Sequence, residues 1–168
     1  MRQLLALLLF AALSAPAVAQ HQPAAPHSAT PTLAAECEQL IKDTDTLATG
    51  AFCYRDNPEV SAYFNELSLI LLFNHPKAEL CRHQLRHSPA KNYRLNADSN
   101  KLCIDSRAER ARLRRQIEAL VDEKMPEYAA EEAPRRGLTA AELLRRTRAE
   151  EAARRARVDV YIRQTEGQ

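Results

Sequence analysis

One apolar run constrains this chain more than any other feature. Leu67-Ser68-Leu69-Ile70-Leu71-Leu72-Phe73 is the only long hydrophobic segment beyond residue 20, so whatever the chain builds must bury it. The run lies in a predicted helix that opens at Asn57-Pro58-Glu59. These residues supply a side-chain N-cap, a proline in the first turn where no N–H is needed, and an acid favoured by the helix dipole. Val60, Tyr63, Phe64, Leu67, Ile70 and Leu71 recur at helical spacing and form its apolar stripe. Leu69, Leu72 and Phe73 then make the end apolar almost all round, which predicts burial on several sides.

The remaining segments supply helices to lay against it. Three glycines, no tryptophan and abundant alanine suit helix far better than sheet. A first helix is predicted over residues 33–48, with Thr32 as N-cap and Gly50 just past its end. Cys37, Leu40, Ile41 and Leu47 share its apolar face, while Asp43 and Asp45 read as solvated. A third helix follows the break at Asn74-His75-Pro76 and continues towards His87. Residues 90–101, rich in Asn, Asp and Ser, read as a loop, after which Leu102-Cys103-Ile104 should return to the core. A fourth helix starts at Ser106-x-x-Glu109, a capping-box pattern. It carries Leu113, Ile117, Leu120, Val121 and Met125 on a narrow stripe and stops at Pro126. Residues 127–138 read as a linker. The last segment, 139–168, opens at Thr139-x-x-Glu142 and is polar on every side from Arg145 to Arg157. A helix of that kind is solvated or meets a charged partner.

The N terminus predicts where the chain lives. Arg2, the apolar stretch Leu4 to Leu13 and Ala17-Val18-Ala19 have the order of a secretory signal peptide over residues 1–19, cleaved after Ala19. About ten apolar residues are too few to span a bilayer, which needs about 20. Residues 20–31 follow as a Pro-rich linker, and the domain proper spans 32–126.

Export places Cys37, Cys53, Cys81 and Cys103 in an oxidising compartment, where two disulfides are the expectation. Without a Cys-x-x-Cys pair they do not read as a zinc ribbon, a thioredoxin-type redox site or a c-type haem site. Helix geometry selects a pairing. If the first three helices run up, down and up, Cys37 and Cys81 both stand roughly 6–7 Å above the bottom at 1.5 Å per residue. Cys53 and Cys103 both lie at the top. Joining Cys53 to Cys81 would bridge about 15 Å, whereas bridged Cα atoms stand about 4.4–6.8 Å apart. The expected bridges are therefore Cys37–Cys81 and Cys53–Cys103, with the sequential pairing as the alternative. The predicted fold is all-α: a small disulfide-stapled bundle of about four helices with a charged C-terminal helix extending from it.

Candidate chemistry is sparse. Glu79, His83 and His87 are spaced by four and share one helix face, a geometry that binds zinc or copper. A polar helix face is the plainer reading, because the glutamate of a His-Glu-x-x-His motif is missing. There is no glycine-bearing nucleophile turn, phosphate loop or Ser/His/Asp arrangement, so the chain does not read as an enzyme and calls for no cofactor. Arginines form two clusters. The first is Arg107, Arg110, Arg112, Arg114 and Arg115; the second is Arg145, Arg146, Arg148, Arg154, Arg155 and Arg157. The second is the candidate binding surface. Interleaved Glu109, Glu118, Glu142, Glu150 and Glu151 offer instead a solvated helix laced by i,i+4 pairs. With 24 Lys and Arg against 22 Asp and Glu, net charge gives nucleic-acid binding no support. The sequence thus predicts a periplasmic or secreted binding or adaptor protein that meets another envelope or secreted protein, without stable membrane insertion. A metal-binding envelope protein and an accessory subunit docked through the charged C-terminal helix are the alternatives.

Overall fold

The computed structural model describes residues 33–81 and 97–167. The segments expected as leader and Pro-rich linker, His83 and His87 lie outside them. The described residues are helical and contain no strand. The elements are α1 (Leu33–Cys53), α2 (Pro58–Asn74), α3 (Ala97–Asp105), α4 (Arg107–Glu132), a 3-10 turn (Pro134–Arg136) and α5 (Ala140–Glu166). After α2 the chain turns at residues 75–77 and is helical again over 78–81.

Asn57 caps α2 as its sequence requires, its side-chain oxygen accepting from the backbone N–H of Glu59 and Val60 at 3.1 Å. The short connection between α1 and α2 folds them into an antiparallel hairpin. Its register is visible in the packing. Leu47, Ala51 and Tyr54 near the end of α1 meet Val60, Tyr63, Phe64 and Leu67 at the start of α2. Cys37 and Leu40 near the start of α1 meet Leu71, Leu72 and Cys81 at the other end. Leu113 and Ile117 of α4 and Val158 of α5 close the main core over the first group. Full burial of a side chain such as Leu113 or Phe64 contributes roughly 1.5–3 kcal/mol.

The disulfides are Cys37–Cys81 and Cys53–Cys103, with Cα separations of 5.3 and 5.7 Å. The first staples the start of α1 to the chain beyond α2. The second ties the end of α1 to α3. Each constrains the unfolded chain and stabilises by about 2–4 kcal/mol.

Several sequence expectations are corrected. The main core centres on Val60 to Leu67, so the apolar run enters it at its start, and Ile70 and Leu71 are only partly buried against it. Leu69 and Phe73 keep 38% and 47% of their surface exposed, because α4 and α5 cover only the first half of α2. Gly50 does not end α1. It is buried within the helix, where a Cβ would press on the Phe64 ring; it permits close approach of two helices. Residues 97–101 are the first half of α3, not loop. Leu102 and Ile104 face outward, Ile104 with 61% exposed, because Cys103 is the residue of that trio that turns inward to its disulfide. The capping box at Ser106 does not form. Its hydroxyl donates back to the Leu102 carbonyl at 2.6 Å, and Glu109 pairs with Arg112.

Pro126 does not end α4. A proline inside a helix loses one hydrogen bond and costs about 3 kcal/mol. Burial beyond it offsets that: Met125 and Tyr128 are covered, and Ala129 and Ala133 pack on Leu143. The expected linker is thus largely the continuation of α4 and a tight turn. Gly137, at φ 65°, takes the left-handed conformation there. The Leu138 N–H reaches back to the Ala133 carbonyl at 3.0 Å, the bond of a Schellman closure. Thr139 then caps α5 through the Glu142 N–H at 3.2 Å.

Candidate functional site

α5 has a mostly polar surface, yet it is not a loose extension. Leu143, Thr147, Arg154 and Val158 are its buried residues, and the expectation of a solvated middle is corrected. The helix meets charged partners, and they belong to the same chain. Arg154 donates to Glu66 of α2 at 2.6 Å, its guanidinium 4.8 Å from the centre of the Tyr63 ring and its side chain only 10% exposed. Arg155 bridges Asp122 of α4 at 2.9 Å and Glu151 of its own helix at 3.0 Å. Arg157 forks onto Glu59 of α2, which holds that carboxyl below its ordinary range. Long side chains cover apolar surface with their stems while their heads pair. That is how a helix without a continuous apolar face packs.

The first arginine cluster closes the other side of the seam. Arg114 pairs with Glu118 at 2.6 Å and Asp159 of α5 at 2.7 Å, and its guanidinium lies over the Tyr63 ring. The Tyr63 hydroxyl donates to Glu118. Burial first, and then this bond to a carboxylate, pushes the Tyr63 hydroxyl far above the ordinary phenol range. Tyr54 is likewise raised, by burial and by its bond to Glu166.

A cleft of about 350 Å³ opens along this seam, floored by Tyr54, Phe64 and Ile162. Arg107, Arg110, Arg114 and Arg115 line it together with Glu118, Asp159 and Glu166. Arg110 is the most buried of the four, its side chain 3% exposed. One guanidinium nitrogen donates to the Cys103 carbonyl at 2.9 Å and to the Ser106 hydroxyl. The other reaches the Tyr54 hydroxyl and Glu166 at 3.4 Å, and Nε has no acceptor among the described residues. The Cys53–Cys103 bridge braces this arrangement, since Cys103 supplies the carbonyl that holds Arg110 and Tyr54 follows Cys53 in the chain.

The candidate binding arginines of α5 divide accordingly. Arg154, Arg155 and Arg157 are committed to the fold. Arg146 pairs with Glu142 one turn away. Arg145 and Arg148 are exposed and make no ion pair among the described residues; Arg148 borders a shallow depression beside Met125, Ala152 and Arg155. Of the metal candidates, Glu79 is exposed and its two histidines lie outside the described residues. No cluster of three metal-ligating side chains occurs among the described residues, and none of their helices is long and apolar enough to cross a membrane. Sequence reasoning missed Tyr54 and Glu166 as parts of the cleft, because they come together only when the two ends of the fold meet. No family model, curated protein or solved structure matches the chain.

Proposed function

We propose that the chain is an exported, non-enzymatic binding or adaptor protein, periplasmic or secreted, that docks an acidic partner protein through Arg145 and Arg148. The observation that carries the reading is the division of α5. Its other clustered arginines are neutralised by acids of the chain, whereas these two guanidinium groups point outward unpaired on neighbouring turns. Arginine's planar fork suits carboxylates of a partner surface. The two disulfides support an oxidising compartment, where such bridges persist. A mature chain beginning at Gln20 on N-terminal sequencing is the expected result for export.

Docking is tested by cross-linking the exported protein in place and identifying its partner. The reading expects one acidic partner captured by the native chain, lost with Arg145→Glu and Arg148→Glu together, and kept with the charge-control Arg163→Glu. The melting temperature of the double variant should be unchanged, because neither side chain supports the fold. Equal capture by the native chain and the double variant would contradict the reading.

A further inference from the structure

The seam cleft lies apart from the outward face at Arg145 and Arg148, and its charges are unevenly matched. Arg114 is held tightly, with pair distances of 2.6 and 2.7 Å. The other arginines have weaker acid partners or none. Arg107 and Arg110 share the single Glu166 carboxylate at 3.3 and 3.4 Å, long for charge-assisted bonds, which run about 2.7–2.9 Å. Arg110 Nε is buried without an acceptor, and burying a donor unpaired costs about 1–3 kcal/mol. Arg115, exposed at the rim, makes no ion pair among the described residues. Glu166, in turn, belongs to the last turn of α5, and terminal turns open at little free-energy cost. If its carboxylate swings out, Glu118 and Asp159 stay paired with Arg114, Arg107 and Arg110 lose their acid, Arg115 still has none, and the Tyr54 hydroxyl becomes a further donor. The volume falls at the small end of ligand pockets, roughly 300–1,000 Å³.

We propose that this cleft binds a small dianionic oxyanion, a phosphate or a dicarboxylate, and that the Glu166 carboxylate is an internal stand-in which the ligand displaces. The ligand's two charges answer the guanidinium groups that Glu166 serves poorly, and Tyr54 donates to the ligand instead of to Glu166.

The test titrates the full oxidised chain with inorganic phosphate, succinate and acetate at constant ionic strength, read by calorimetry and by the arginine Nε–H resonances. Phosphate or succinate should bind with Kd of about 1 mM or tighter, and acetate much more weakly. Glu166→Gln removes the competing charge and keeps a hydrogen-bond acceptor, so it should tighten binding about tenfold. Arg115→Ala, which leaves every internal pair intact, should weaken it several-fold. Preference for phosphate or for succinate identifies the oxyanion class. Binding of both dianions no tighter than acetate, or an affinity unmoved by Glu166→Gln, would overturn the proposal.

Discussion

Gly50→Ala inserts a methyl group where the Phe64 ring already stands. An ideal Cβ at residue 50 would lie 2.7 Å from Phe64 Cγ and 2.9 Å from Cε1, against an optimal carbon separation of about 3.5–4.0 Å. Two other rings restrict its retreat. It is fully buried, with the Tyr54 ring 5.2 Å away and the Tyr63 ring 6.1 Å away edge-on. On an exposed helix the same change would stabilise by about 1 kcal/mol through helix propensity. Overpacking a tight core costs about 1–3 kcal/mol, and a clash with a ring hemmed in by two others belongs to the upper half of that range. The net expectation is a loss of about 1–2 kcal/mol, or a melting temperature lower by roughly 3–10 °C. Urea and thermal unfolding of the oxidised protein, followed by circular dichroism, measure it. In a Phe64→Leu background, where the space is vacated, Gly50→Ala should be neutral or stabilising. Stabilisation of the native protein by Gly50→Ala, or the same loss in both backgrounds, would refute the close approach.

Arg154→Ala removes a paired guanidinium and its stem from Tyr63. With Glu66 partly solvated, the expected loss is about 2–3 kcal/mol in urea unfolding, and Arg154→Met should recover part of it. Tyr54 and Tyr63 predict alkaline sensitivity. Both hydroxyls are raised in the folded chain, so the stability they contribute is whole below the unfolded value of about 10 and is lost as pH rises through the folded values. The urea midpoint should therefore fall between about pH 9.5 and 11; a flat midpoint over that window would contradict it. Replacing Cys53 and Cys103 together by serine should cost about 2–4 kcal/mol and loosen Arg110, visible as faster exchange of its Nε–H.

Local chemistry and long-range geometry were not equally legible in the sequence. Asn57-Pro58 declared the start of α2, and Thr139 that of α5, because a cap is decided within one turn. The disulfide pairing followed from helix rise together with an up, down and up order of the first three helices, since height along an axis then depends only on residue count. Pro126 and Gly50 misled because each was judged as a local breaker, while tertiary packing on both sides of it overrode propensity. Leu69 and Phe73 were apolar enough to belong to a core, but which face of α2 its neighbours cover is not written in α2 itself. The cleft was half visible. Its arginines stood out as a cluster, whereas Glu166 lies 56 residues from Arg110 and its role depends on the antiparallel return of α5. The polar middle of α5 left solvation and a charged partner both open, and nothing local revealed that Glu59, Glu66 and Asp122 of the same chain supply that partner.

The central claim is that α5 is a packed member of the bundle, held between its apolar ends by arginines that pair inward rather than by a continuous apolar face. Amide hydrogen exchange of the isolated, oxidised chain tests it most directly. The account predicts protection across Arg154 to Val158 comparable to that of Tyr63 to Leu67 in α2, and loss of that protection in Arg154→Ala. Exchange at the unprotected rate across Arg154 to Val158, with α2 still protected, would contradict it.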